Sequence, residues 1–242
     1  MQKIIITGHS RGLGKALSDY YLAQGQTVLG LARTCLPKQS SLSQYALDLA
    51  DTPALTNFVQ QTVLSDFMAS ADEIILINNA AIVLPNALAG KANDQIIVQA
   101  IALNVTAPLV LTNAIIAQRL LHQKLKIVHI SSGAGRQAYE GWCVYGASKA
   151  ALDHHARCIA AEQHPNVQIV SLAPGIIDTD MQAEIRAASI ADFPLQTRFY
   201  NLKAHNQLSN PAISAQAIAQ FIASRLFGQS SIADIRHLEK DA

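Results

Sequence analysis

Lys3-Ile4-Ile5-Ile6-Thr7 opens a pattern that leaves this chain few folds to choose from. It is the first of six short apolar runs, followed by 27–32, 73–78, 126–131, 167–173 and 231–235. Runs this short, continuous rather than alternating, read as strands buried on both faces. Helical stretches fill the intervals. The first places Leu13, Ala16, Leu17, Tyr20 and Tyr21 on one face, and Asp51-Thr52-Pro53 is a helix-start signal for a helix to about residue 68. Further helices are expected at about 94–121, 145–163 and 209–227, while 34–44, with Pro37 and several serines, reads as loop. Strands alternating with helices of ten or more residues pair in parallel through crossovers. Six or seven such strands predict an α/β fold, a doubly wound parallel sheet with helices on both faces, in a single domain over 1–242. A TIM barrel needs eight units and fits less well. Ligands of doubly wound sheets bind at the carboxyl ends of the strands.

Composition agrees: half of the 242 residues are apolar and 14% charged, which suits a large core. A net charge of +1 gives no reason to expect a nucleic-acid partner. Cys35, Cys143 and Cys158 are odd in number and lack metal-like spacing, which points to reduced thiols in the cytoplasm. The first apolar run is too short for a secretory signal. Residues 95–118 carry no charge and are long enough to cross a bilayer. Gln99, Asn104, Thr106, Pro108, Thr112 and Asn113 interrupt them, so a buried or subunit-interface helix is expected and no membrane partner. The histidines show no metal pattern; His154 and His155 are adjacent and read as solvent-facing or interface residues, and no metal is expected.

Thr7-Gly8-His9-Ser10-Arg11-Gly12-Leu13-Gly14 follows the first strand and opens the first helix. Glycines there let backbone approach a pyrophosphate, whose charge the helix N-terminus stabilises. The spacing is G-x-x-x-G-x-G rather than the commoner G-x-G-x-x-G. Gly8, Ser10, Arg11, Gly12, Leu13 and Gly14 are the predicted cofactor contacts. An NAD site wants a carboxylate near the end of the second strand, and a 2′-phosphate wants a cation. From Tyr20 through Leu47 there is no Asp or Glu, whereas Arg33 ends the second strand and Arg11 sits inside the turn. This combination favours NADP(H).

Tyr145 and Lys149 stand four apart, on one face of a helix, and Ser132 lies thirteen residues before the tyrosine. Moving a phenol from about 10 toward 7 takes roughly 4 kcal/mol. A unit positive charge ~4–5 Å away at an effective dielectric near 20 supplies that much. The expectation is therefore a tyrosine tuned by its lysine, beside a serine that holds a substrate oxygen: the equipment of a carbonyl reductase or alcohol dehydrogenase.

Together these residues resemble the short-chain dehydrogenase/reductase family, and the likeness covers essentially the whole chain. Gly8, Gly12 and Gly14 match its glycine motif, and Asp48-Leu49 its adenine contact. Asn78-Asn79-Ala80-Ala81 matches its Asn-Asn-Ala-Gly segment except at Ala81. Asn104, Ser132, Tyr145 and Lys149 match its catalytic tetrad in order and spacing. Pro174-Gly175, with Ile177 and Thr179, matches the segment at the nicotinamide end. The resemblance implies a Rossmann-like sheet, a homodimer or homotetramer, cofactor contacts at Asn79, Ala80, Ala81, Tyr145 and Lys149, a water held by Asn104, and a substrate lid over about 181–209. The implied reaction is NADPH-dependent reduction of a ketone, aldehyde or diketone. The alternative is a regulator that binds NADP(H) with little turnover. Gly141-Trp142 and the run from Ala173 to Gln182 resemble the sepiapterin and benzil reductase group within the family. By that likeness Asp234 anchors substrate, or else it is structural and ends the last strand. Tyr139 and Trp142 line the substrate pocket or pack in the core.

Overall fold

In the computed structural model, which describes residues 1–238, the six apolar runs and one further segment form a seven-stranded parallel sheet. In chain order the strands are β1 (Gln2–Thr7), β2 (Thr27–Ala32), β3 (Leu42–Ala46), β4 (Glu73–Asn78), β5 (Lys124–Ile130), β6 (Val167–Ala173) and β7 (Ile232–Asp234). Their spatial order is β3-β2-β1-β4-β5-β6-β7. The winding direction reverses between β1 and β4, which opens a crevice at their carboxyl ends. The helices are α1 (Gly12–Ala23), α2 (Thr52–Val59), α3 (Val63–Met68), α4 (Asp94–Ile101), α5 (Ala107–Gln118), α6 (Cys143–Ala161), α7 (Asp180–Ala187), α8 (Gln196–Ala204) and α9 (Pro211–Ala223). The chain is a single α/β domain.

Alternate residues of the central strands β1, β2, β4, β5 and β6 serve two cores, which is why those runs are mostly apolar. Ile4 and Ile6 face Leu13, Leu17 and the α9 residues Ile218 and Ile222. Ile5 faces the other way, toward Leu55, Phe58, Leu111 and Ile115. All three isoleucines are fully buried, each contributing roughly 1.5–3 kcal/mol.

Three elements depart from expectation. The segment read as loop contains the start of β3, which pairs with β2 from Val28↔Leu42 to Ala32↔Ala46. Of its residues only Leu42 is buried, so this edge strand shows no apolar pattern. The helix expected from 52 to 68 is broken into α2 and α3. A continuous helix in phase with Leu55 and Phe58 would turn Thr62 and Ser65 inward; the break brings Leu64 and Met68 to the core instead. The long apolar helix is interrupted by a π turn at Ala102–Thr106. Pro108 has no N–H to give the Asn104 carbonyl, so the α ladder cannot run through. Asp94–Gln118 is apolar and long enough to cross a membrane, and here it packs Ala107, Leu111 and Ile115 into the core. One further residue differs: His155 is half-buried rather than solvent-facing, its Nδ1 3.0 Å from Nε2 of the fully buried His129.

Candidate active site

Thr7 joins the two strands that flank the crevice. Its Oγ1 accepts from the backbone N of Asn79 and of Ala80, both at 2.9 Å, and its carbonyl accepts from Asn79 Nδ2 at 2.9 Å. The Asn79 side chain is thereby committed to the protein. Gly8 continues from Thr7 with φ +67°, a conformation L side chains rarely adopt. Gly14 is required for a different reason: a Cβ there would lie 2.1 Å from the Gly8 carbonyl oxygen. The turn therefore folds tightly onto the start of α1 and directs its backbone toward the crevice.

The crevice is a cavity of about 630 Å³ that runs from Arg33, Asp48 and Leu49 past the glycine turn to Ser132, Tyr145 and Trp142. Ser10, Arg11, Gly12, Leu13, Ala80, Ala81, Pro174, Gly175, Ile177 and Thr179 line it between those ends. Its extent, the bare glycine backbone and the helix N-terminus fit an elongated dinucleotide with its diphosphate at the turn. At the end near Asp48 the cavity is lined by Arg33 and Arg11, the latter 3.7 Å from the exposed Asp180.

At the opposite end α6 carries Tyr145 in its first turn and Lys149 one turn later, both buried, and Ser132 follows β5. Burial pushes the Tyr145 hydroxyl up to about 12, against a downward pull from a hydrogen bond with Ser132. Burial brings Lys149 down to about 8, opposed by Asp153. The expected lowering of the phenol by the ammonium is therefore corrected. Lys149 Nζ lies 5.6 Å from the ring centroid and donates to the Ile130 carbonyl at 2.8 Å. Desolvation acts on both groups and favours the uncharged form of each. At neutral pH the arrangement presents a protonated phenol beside a serine hydroxyl whose oxygen already accepts from Ala134 N at 3.2 Å. Such a pair can donate to a carbonyl oxygen.

A buried carboxylate fixes this end of α6. Asp153 accepts from Ser131 Oγ at 2.8 Å, Ser171 Oγ at 2.7 Å and Arg136 Nε at 2.9 Å. It so ties the helix to β5, β6 and the segment after Ser132. Asp153 is buried while Arg136 keeps one side in solvent, so removing a partner strands the carboxylate rather than the guanidinium. Nothing in the sequence alone singled out Asp153 or Arg136, because their spacing follows no motif.

Three predicted site residues do not line the cavity. Gly14 supports the turn from beneath. Asn104 is fully buried; its Oδ1 accepts from Ile82 N at 2.9 Å, and its Nδ2 donates to Ile82 O at 2.8 Å and to Ser148 Oγ at 3.2 Å. It thus braces the β4–α4 connection against α6. Asp234 turns away and pairs with Arg236, at 2.9 Å to Nε and 2.6 Å to Nη2, and it is Arg236 that lines the cavity.

Tyr139 and Trp142 both line the cavity. Trp142 is also a packing centre: it stacks on Phe193 at 5.1 Å, meets Phe199 and Tyr145 at 5.3 Å each, and donates from Nε1 to Asn86 Oδ1 at 2.7 Å. Pocket wall and core are therefore one cluster. Gly141 makes room for it: with φ +79°, its position would put a Cβ 2.7 Å from Phe193 Cδ2.

Comparison with known proteins agrees with this geometry. The family model for short chain dehydrogenase matches residues 2–190. A benzil reductase ((S)-benzoin forming) of Bacillus cereus is 33% identical over 249 aligned positions, covering 96% of this chain and 98% of that protein. A sepiapterin reductase of Mus musculus is 30% identical over 262 positions, covering 95% of each. The crystal structure of a short-chain dehydrogenase/reductase from Burkholderia vietnamiensis superposes with a TM-score of 0.69 at 33% identity, over 98% of this chain and 99% of that one. With a turn shaped for a dinucleotide at one end of the cavity and a phenol–serine pair at the other, the chain belongs to the short-chain dehydrogenase/reductase family of nicotinamide-dependent oxidoreductases, alongside benzil and sepiapterin reductases.

Proposed function

We propose that this protein is an NADPH-dependent carbonyl reductase that converts a ketone, aldehyde or diketone to an alcohol. The observation that carries the reading is the Tyr145 phenol, buried at the cavity wall, facing Ser132 and protonated at neutral pH. Bound at the glycine turn, the nicotinamide cofactor supplies the hydride. Ser132 holds the substrate carbonyl oxygen by donating to it, and Tyr145 gives that oxygen its proton. Lys149 holds the nicotinamide ribose and feeds the proton path behind the phenol. Asn104, in the π turn between α4 and α5, holds the water that links Lys149 to solvent. Arg33 and Arg11 meet the 2′-phosphate, which selects NADP(H) over NAD(H). Residues 181–209, with Phe193 and Phe199 packed on Trp142, form the substrate lid. The benzil reductase relatives support a diketone as the first substrate to try.

The free, exposed Cys35, Cys143 and Cys158 fit a cytoplasmic enzyme. Val98 and Ile101, exposed on α4, fit a homodimer or homotetramer contact, read by light scattering. The activity is tested by following NADPH consumption against a panel of diketones, ketones and aldehydes. Tyr145→Phe is expected to lose at least about a hundredfold in kcat. Wild-type turnover in Tyr145→Phe would refute the mechanism. NADPH binding without reduction of any carbonyl would favour the regulator instead.

A further inference from the structure

His9 is the second residue of the glycine turn, yet its side chain is fully buried beneath that turn. Its imidazole crosses Gly30 of β2: a Cβ on Gly30 would sit 2.3 to 2.5 Å from three ring atoms. Gly30 pairs with Gln44 of β3, and the ring reaches that neighbouring strand, with Nε2 2.8 Å from Gln44 Oε1. An amide oxygen only accepts, so Nε2 is the donor in this bond. Nδ1 is buried and has no partner among the described residues. An apolar side chain filling the same space would avoid that cost. What the imidazole alone supplies is the Nε2 hydrogen bond.

Gln44 directs the rest of its amide to the loop after β2. Oε1 also accepts from Leu36 N at 2.7 Å, and Nε2 donates to Leu36 O at 3.1 Å. Leu36 stands three residues beyond Arg33. One side-chain amide therefore joins the inner side of the glycine turn to the loop that carries the arginine.

We infer that His9 and Gln44 are positioning residues that hold the Arg33 loop in register with the glycine turn, so that a dinucleotide's diphosphate and its 2′-phosphate are met together. The inference rests on the NADP(H) reading above. Gly30 belongs to the same device, because any side chain there displaces the ring.

The test is a double-mutant cycle on cofactor affinity, with NADPH and NADH titrated into wild type, Arg33→Ala, Gln44→Leu and the double variant. Arg33→Ala alone is expected to weaken NADPH about tenfold. Gln44→Leu should weaken NADPH about tenfold and NADH by under about threefold, and in its background Arg33→Ala should cost under about threefold more. Equal losses for both cofactors, or an undiminished effect of Arg33→Ala, would overturn the inference and leave Gln44 a merely structural residue. A wild type that prefers NADH sinks the NADP(H) reading and this inference together. A wild type that prefers NADPH, with the two sites uncoupled, sinks this inference alone. Should Gln44→Leu not fold, Gln44→Asn keeps the amide but is one methylene too short to reach both partners. It should then lose affinity for 2′,5′-ADP and not for 5′-AMP, and equal losses again count against the inference.

Discussion

Lys149 holds its Nζ 5.6 Å from the centre of the Tyr145 ring but donates to the Ile130 carbonyl, 2.8 Å away, not to the phenol. The two residues share a helical face, and in the fold they also share a desolvated site. Burial raises the phenol to about 12 and lowers the ammonium from 10.5 to about 8. The proposed reduction needs an acid that is protonated when the substrate arrives, and burial keeps the Tyr145 phenol so across the neutral range.

The same burial makes Lys149 costly to the protein without cofactor. Between pH 8 and 10.5 the unfolded lysine binds a proton that the folded one has released, so stability rises with pH through that window. Below it, keeping the ammonium buried costs on the order of 3 kcal/mol. Lys149→Met loses the bond to Ile130, yet it should still be more stable by about 1–2 kcal/mol at pH 7. Urea unfolding measures this; a destabilised variant would contradict the burial argument. Its turnover should fall at least about a hundredfold.

Gly141 lies just before α6 and packs against Phe193. Gly141→Ala forces a side chain into φ +79° and places its Cβ 2.7 Å from Phe193. Strain of this kind costs about 1–3 kcal/mol. Because Phe193 must shift, the KM for the carbonyl substrate should rise several-fold while the Kd for NADPH stays unchanged. Steady-state kinetics and cofactor titration separate the two effects, and a matched loss in both would count against a role for residues 181–209 in substrate binding.

His129 should make the fold sensitive to acid. Burial first, then the fields of His155 and Lys149, lower it from 6.5 to about 3, and burial lowers His155 as well. The unfolded chain takes up protons that the folded chain refuses, so stability is complete above about pH 6.5 and falls as pH drops below it. The slope from His129 is about 1.4 kcal/mol per pH unit. His129→Gln should flatten the curve between pH 4 and 6.5, as followed by thermal unfolding at each pH. An unchanged slope would show that His129 does not carry the effect.

Local chemistry by itself determined most of this protein. Six of the seven strands announce themselves as short apolar runs, five of them because their central residues are buried on both faces. Gly8, Gly12 and Gly14 could be read because a phosphate-binding turn imposes a fixed spacing on them, and Ser132, Tyr145 and Lys149 because a helical face and a strand end do the same. Strand β3 could not, because an edge strand with one buried residue has no pattern to betray it. Tertiary structure decided the rest, through quantities that no local window contains. Whether Lys149 or desolvation governs the phenol depends on what surrounds both. Asp234 faces Arg236 rather than the cavity only because the last strand ends where it does. The joining of His9, Gly30, Gln44 and Leu36 needs three strands brought side by side, and sequence separation gives no measure of that distance.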